Sequence, residues 1–233
     1  FKKKAPYSIC VTAGIETDRV SPEWLMQTHR GIDKIIVPSE HAKDGFEKTS
    51  YQVINEGTKT ETLLECACPV DVVPYPIKSI EPDHIEIDLK TKFNFLSVAL
   101  LGPRKNLDQL IRCFIEEFKD ESVGLVLKTG VSKGSVMDRE ETRNIIKKIT
   151  KQLGIKNRKC KIYLLHGDLS ESQIHSLYNR EDIHAYVTTS HAEGYGLPIF
   201  ESAYSGLPVI ATDWSGYLDF LQAPYLESGK LKN

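Results

Sequence analysis

Phe93-Asn-Phe-Leu-Ser-Val-Ala-Leu-Leu-Gly102-Pro-Arg104-Lys105-Asn106-Leu107-Asp-Gln-Leu110-Ile111-Arg-Cys-Phe114-Ile-Glu-Glu-Phe118 is the stretch from which the fold can be read. Its first part, Phe95 to Leu101, is apolar on both alternating faces, the pattern of a strand covered on two sides. Gly102 and Pro103 stop it. Leu107, Leu110, Ile111, Phe114 and Phe118 then recur at helical spacing and put one apolar face on a helix from Leu107 to Phe118. The same alternation continues downstream. Strands are expected at Val123–Leu127, Lys161–Leu165, Ile183–Val187 and Pro208–Ala211. Helices are expected at Asp138–Leu153, from a Ser170 cap through Tyr178, and at Leu197–Tyr204. Strands of this kind, each followed by a helix, form parallel βαβ units with both sheet faces covered. Residues 83–221 therefore predict a doubly wound α/β domain.

Upstream the pattern is shorter and less regular. Tyr7–Ala13 reads as a short buried strand and Ser21-Pro22-Glu23-Trp24 as a helix start, with Ser at the N-cap and Pro in the first turn. Lys34–Val37 is a strand stopped by Pro38, and Ser39 can cap a helix carrying Ala42 and Phe46 and ending near Ser50. Gln52 to Leu64 has β-type residues on both sides of Asn55-Glu56-Gly57-Thr58, which suggests a hairpin. Val70–Val73 is a further strand. Pro74, Pro76 and Pro82 follow in a segment short of helix signals, so 74–82 reads as a linker. Residues 1–73 thus resemble the closing part of a second α/β domain, and 222–233 a tail. With no Met at its start, the chain reads as shortened at both ends.

Composition narrows the function classes. A chain of 233 residues with 40% hydrophobic residues, 15 Gly and 11 Pro is neither disordered nor fibrous. A formal charge of -2 provides no global field for holding nucleic acid. No apolar run reaches the ~20 residues that cross a bilayer. The five cysteines are odd in number, and Cys66-Ala-Cys68 lacks the second pair of a zinc site. Unpaired thiols suit a reducing, cytoplasmic setting, and Phe1-Lys-Lys-Lys is a poor signal peptide.

Open parallel sheets bind ligands at the carboxyl ends of their strands. The loops there carry Arg104-Lys105-Asn106, Lys128-Thr129-Gly130, His166-Gly167-Asp168, Ser190-His191-Ala-Glu193-Gly194 and Asp213-Trp214-Ser215-Gly216. Glu193 and Glu201 enclose seven residues that include Gly194 and Gly196, then Pro198 at a helix start. Glycines allow close backbone approach to a ligand, and free N–H groups at a helix start attract an anion such as phosphate. Two carboxylates beside such an anion site are better employed accepting hydrogen bonds from hydroxyls. A phosphate flanked by two sets of hydroxyls describes a nucleotide sugar.

Ser190-His-Ala-Glu193-Gly-Tyr195-Gly196-Leu197-Pro-Ile-Phe-Glu201-Ser-Ala-Tyr-Ser-Gly206-Leu-Pro208 resembles the E-x7-E signature of retaining glycosyltransferases of family 4, which have the GT-B fold. Gly102-Pro-Arg104-Lys105-Asn106-Leu is similar to that family's basic segment, although here Arg and Lys are adjacent. Ile35-Val37-Pro38-Ser39 and Val73-Pro74-Tyr75-Pro76 resemble the end of its N-terminal domain and its interdomain linker. The likeness implies a Rossmann-like C-terminal domain, a partial N-terminal α/β domain and transfer of a hexose from a nucleoside-diphosphate sugar, with retention and without a metal or other cofactor. It implies that Glu193 meets the donor sugar's hydroxyls, that the backbone of Gly194, Tyr195, Gly196 and Leu197 holds sugar and distal phosphate, and that Glu201 takes the ribose hydroxyls. Arg104 and Lys105 would neutralise the departing diphosphate; Lys128 and His166, from their place at the strand ends, are further candidate donor contacts. The acceptor would be a glycan, lipid-linked or protein hydroxyl, as in polysaccharide biosynthesis.

Other readings stay open. The chain could be a non-catalytic nucleotide-sugar-binding module or a GT-B epimerase. His166 and His191 could equally satisfy loop backbone. The basic stretch Arg139–Lys161, with nine Lys or Arg, reads as a solvated helix face, the alternative being contact with a membrane surface.

Overall fold

A computed structural model describes residues 5–54, 57, 59–76, 78–132 and 134–222, together with the backbone of 225–227 and 230–232. The chain divides into two compact units. The first takes Phe1–Ile77, Ala192–Gly196 and Trp214–Asn233, and the second takes Lys78–His191 and Leu197–Asp213.

The first unit begins with β1 (Ile9–Val11), α1 (Pro22–Thr28), β2 (Lys34–Val37), α2 (Glu40–Glu47), β3 (Tyr51–Ile54), β4 (Glu61–Leu64) and β5 (Val70–Val72). β1, β2 and β5 form a parallel sheet in that order, with Cys10 opposite Ile35 and Ile35 opposite Val70. The expected buried strand at Tyr7–Ala13 is instead a three-residue edge strand with Ile9 52% and Val11 74% exposed. Its only neighbour among the described strands is β2, so alternate side chains face outward. Pro22 occupies the first turn of α1, and the Ser39 hydroxyl caps α2 by accepting from the Ala42 N–H at 3.1 Å. Leu25, Ile35, Val37, Ala42 and Phe46 form the buried centre between helices and sheet. β3 and β4 pair antiparallel, Tyr51 with Leu64, as the flanking β-type residues imply. Asn55, Glu56 and Thr58 of the expected turn lie outside the described residues.

The second unit follows the alternating pattern: β6 (Phe93–Val98), α3 (Leu107–Phe118), β7 (Val123–Lys128), α4 (Val136–Gln152), β8 (Lys161–Leu165), α5 (Glu171–Tyr178), β9 (Ala185–Val187), α6 (Leu197–Tyr204) and β10 (Val209–Ile210). The five strands are parallel in the order β10-β9-β6-β7-β8. The chain moves outward from β6 to β8, then returns to the other side of β6, so the strand order reverses between β6 and β9. In α/β sheets that reversal opens a crevice where the loops diverge. The apolar stripe of α3 is buried as its spacing demands, with Leu107, Leu110, Ile111, Phe114 and Ile115 packed with Leu125 and Leu127 of β7. Asn94 is a buried polar residue inside β6. Its amide donates to the carbonyls of Thr91 (3.2 Å) and Asp182 (2.8 Å), which offsets its desolvation.

The chain then rejoins the first unit with α7 (Leu218–Leu221), β11 (Tyr225–Glu227) and β12 (Lys230–Lys232). β11 and β12 pair antiparallel, Leu226 opposite Leu231, in the segment that the sequence presents only as a tail. Asp219 of α7 accepts from the Glu40 N–H at 2.7 Å, at the start of α2. Among the described residues no helix is long and apolar enough to cross a membrane.

Candidate functional site

The carboxyl ends of β6, β7 and β8 surround a cavity of about 580 Å³ in the second unit. Residues after β6 (Leu100 to Lys105), after β7 (Thr129, Gly130, Ser132, Gly134) and after β8 (His166, Gly167, Asp168) line it, with Pro198 at the start of α6. Four residues expected at a donor site, Arg104, Lys105, Lys128 and His166, are thus brought to one cavity by three separate strand ends.

Local structure explains how each is held. The turn after β6 closes on itself, the N–H of Lys105 and that of Asn106 both donating to the Gly102 carbonyl at 3.2 Å. Asn106 sits in the left-handed region at φ 53°, which its short polar side chain tolerates. This turn is tied to the loop after β9: the Arg104 carbonyl accepts from the His191 N–H (2.8 Å) and the Ser190 hydroxyl (3.3 Å), and the Asn106 carbonyl accepts from the Thr189 hydroxyl (2.9 Å). The two loops that flank the reversal of strand order are therefore one hydrogen-bonded assembly. His191 contributes backbone to it.

Lys128, at the end of β7, donates from Nζ to the Gly167 carbonyl at 2.7 Å. Burial holds its ammonium below the usual lysine range, while Asp168 acts in the opposite sense. The adjacent Thr129 hydroxyl is buried and has no hydrogen-bond partner among the described residues, a polar group in the lining that a ligand could satisfy. His166 is only 4% exposed and its Nε2 lies 2.7 Å from Asp138 Oδ1. The same carboxylate accepts from the N–H groups of Val131 (3.0 Å) and Ser132 (2.6 Å) and from the Thr142 hydroxyl (3.2 Å). Asp138 therefore shapes the β7–α4 loop and orients His166. From the sequence alone Asp138 marks only the start of a helix. Its signal was Ser135 three residues earlier, whose hydroxyl does accept from the Asp138 N–H at 3.1 Å.

On α6, Glu201 is half-buried and accepts from the Tyr178 hydroxyl at 3.1 Å. Burial raises the Glu201 carboxyl above its usual range, and the tyrosine hydrogen bond partly counters that. Tyr178 is pushed well above its usual value by burial, with Tyr186 and Glu201 adding to the effect, so it stays a donor at neutral pH. Sequence reasoning missed Tyr178, because an apolar-face tyrosine in a helix looks like core. Leu197, the first residue of α6, is 42% exposed.

Glu193, Gly194, Tyr195 and Gly196 belong to the first unit and are all buried. The Ser215 hydroxyl accepts from the Glu193 N–H (2.6 Å) and donates to the Glu193 carbonyl (2.5 Å), while the Gly216 N–H donates to that carbonyl at 3.0 Å. Ser215 holds φ at 117°, a strained value for a residue with a side chain. The Ser39 hydroxyl that caps α2 donates to the Gly194 carbonyl at 2.6 Å. Gly194 is required by close approach: a Cβ there would stand 2.3 Å from the Ala13 carbonyl oxygen. Gly196 turns the chain at φ 91°. Tyr195 packs edge-on against Tyr75, ring centroids 5.1 Å apart, and against Phe220 at 5.2 Å. Among the described residues no group of three or more His, Cys, Asp or Glu could hold a metal ion.

Residues 80–225 match the family of glycosyl transferases group 1. The chain is 29% identical over 173 residues to the GtfA subunit of UDP-N-acetylglucosamine–peptide N-acetylglucosaminyltransferase of Streptococcus pneumoniae, an alignment covering 72% of this chain and 31% of that protein. It is 30% identical over 150 residues to sucrose synthase of Melioribacter roseus, covering 62% of this chain and 19% of that protein. The chain thus spans under a third of the length of these relatives. Among solved structures, a trehalose-6-phosphate protein from E. coli bound with UDP-2-fluoro glucose superposes with TM-score 0.57 at 15% identity, over 92% of this chain and 55% of that one. TarM of S. aureus superposes with TM-score 0.54 at 16% identity, over 89% and 37%. These likenesses establish the fold as that of the GT-B glycosyltransferases, and with more than half of its residues matching the family, the chain belongs to the glycosyl transferases of group 1.

Proposed function

We propose that the chain carries the donor half of a retaining, metal-independent hexosyltransferase that uses a nucleoside-diphosphate sugar and delivers the sugar to a hydroxyl acceptor. The observation that carries this reading is the cavity at the strand ends, where Arg104, Lys105 and Lys128 supply cations beside an unpartnered Thr129 hydroxyl. Breaking a glycosyl–diphosphate bond leaves negative charge on the departing oxygen. Cations already in place stabilise that charge without reorganising. Arg104 and Lys105 take this role, and Lys128, held beside Gly167, adds to the field.

Glu201 accepts from the ribose hydroxyls. Its raised proton affinity is compatible with that role only while it is ionised, which the Tyr178 hydrogen bond favours. Glu193 takes hydroxyls of the transferred sugar, and its backbone, clamped by Ser215 and Gly216, fixes where the side chain begins. Backbone N–H groups from Gly194 to Leu197 hold sugar and distal phosphate. The five cysteines are all free, in keeping with a reducing cytoplasm. UDP is the first nucleotide to try, since two of the similar structures named above and their kin contain UDP or a UDP sugar.

Calorimetric titration with UDP tests the reading. Wild type should bind, and Lys105→Ala and Glu201→Ala should each bind at least tenfold more weakly, the loss of about one charge-assisted hydrogen bond. Absence of binding by wild type, or unchanged binding in both variants, rejects it. Transfer to water or to added acceptor hydroxyls, followed by NMR of the anomeric product, then tests retention.

A further inference from the structure

A second concave surface of the same unit has a different chemistry. It is a groove of about 470 Å³ between α4 and β8, and it shares no lining residue with the cavity at the strand ends. Arg139, Arg143 and Lys147 lie at i, i+4 and i+8 on one face of α4, and Arg158 faces them from the segment before β8. Among the described residues the lining contains four cations and no carboxylate. Arg143 has an acid at its side, Glu140 on the same helix at 3.0 Å, and its side chain is still 44% exposed. Arg158 bears on the Cys160 thiol, yet its Nη1 is buried without a hydrogen-bond partner among the described residues. A buried guanidinium N–H left unsatisfied beside three further cations is costly, and an anion with several acceptor oxygens removes that cost.

Apart from Thr150 and Tyr163, the rest of the lining is aliphatic, with Ile87, Ile146, Ile162 and Leu164. At the start of the same helix, Val136 and Met137 are 78% and 84% exposed, unusual for neighbouring large apolar side chains. A helix that opens with two exposed apolar residues and continues with a basic face suits the interface of an anionic bilayer.

We propose that the α4–β8 groove is a phosphate-binding site, with the phosphate held by Arg139, Arg143, Lys147 and Arg158. The apolar floor and the exposed Val136–Met137 pair favour the headgroup of an anionic lipid as the source of that phosphate. The site goes beyond donor binding and does not depend on it.

Two arms test the site and tell the sources apart. In the first, the chain is sedimented with vesicles of phosphatidylcholine alone or mixed with phosphatidylglycerol. Wild type should bind only the mixed vesicles, and binding should weaken with added salt. Each lost cation should weaken it about fivefold, so the triple variant R139Q/R143Q/K147Q should lose on the order of 100-fold. These three residues are exposed and their replacement should leave the fold intact. R158Q separately removes the buried guanidinium. In the second arm, inorganic pyrophosphate is titrated into UDP-saturated protein while amide shifts of α4 and β8 are followed by NMR. Shifts there that vanish in the triple variant, without vesicle binding, support the site with a soluble phosphate as its source. Neither vesicle binding nor groove shifts in wild type, or either signal unchanged in the triple variant, overturns it. UDP affinity of the groove variants should equal wild type, so failure of the donor reading would show separately as loss of UDP binding in every form.

Discussion

Removing the Asp138 carboxylate should injure both the stability of the second unit and its cavity. The side chain is 7% exposed and accepts hydrogen bonds from Val131 N, Thr142 Oγ1 and His166 Nε2 on one oxygen, and from Ser132 N at 2.6 Å on the other. Hydrogen bonds to a charged group contribute about 1.5–3 kcal/mol each, but they are not additive within one network. Val131 and Ser132 can turn to water when the acceptor is lost, whereas His166, at 4% exposure, cannot. The unrecovered part is then one buried partner plus the ordering of the Gly130–Gly134 loop, about 3–4 kcal/mol for Asp138→Ala. For a unit of this size that corresponds to a Tm lowered by roughly 10 °C. Asp138→Asn keeps one accepting oxygen and loses the Ser132 contact, so about 1–2 kcal/mol is expected. Urea denaturation followed by circular dichroism measures the stabilities, and UDP titration measures the cavity, where Asp138→Ala should lose roughly tenfold in affinity because Ser132 and His166 both line it. If Asp138→Ala lies within ~0.5 kcal/mol of wild type and binds UDP normally, the carboxylate does not organise the loop as described.

Gly194→Ala places a Cβ 2.3 Å from one backbone oxygen and 3.0 Å from another, neither of which can rotate away, so a loss of about 1–3 kcal/mol and weaker donor turnover are expected in thermal melts and transfer assays. Ser215→Ala deletes both the donor to and the acceptor from Glu193 and should cost about 1–3 kcal/mol, while Ser215→Gly should cost less because it relieves the φ of 117°. Because the folded-state pKa of Glu201 lies above its ordinary value, the folded protein holds more protons in that interval, and this group's contribution to stability falls as pH rises through it. UDP affinity, which calls on the ionised carboxylate, should correspondingly drop on acidification at a pH above the usual glutamate range, and Glu201→Gln should show a flat profile at the lower level; an identical pH profile in wild type and variant refutes the role. Lys128→Met should weaken UDP binding by about tenfold while leaving stability near wild type, since the substitution removes a buried charge held by one carbonyl.

The α/β class and its order of strands and helices follow from local sequence alone. Leu107–Phe118 and Lys161–Leu165 have the boundaries that their periodicity dictates, because 3.6-residue and two-residue repeats are properties of the local chain. The sequence shows that the segment from Ser190 is glycine-rich and reads its glycines as room for a ligand; that Gly194 is needed because a Cβ would stand 2.3 Å from the Ala13 carbonyl oxygen is decided by the tertiary structure. Other features depended on long-range pairing. The exposure of β1 follows from its place at a sheet edge, which the apolar run Tyr7–Ala13 cannot reveal. The link from Asp138 to His166 and the roles of Tyr178 and Ser215 depend on partners 28, 23 and 22 residues away, in elements that meet only after the sheets have formed. Periodicity records which face of an element is apolar. Which polar groups then face each other is decided by strand order, and that order is set by burial of the whole sheet rather than by any segment within it.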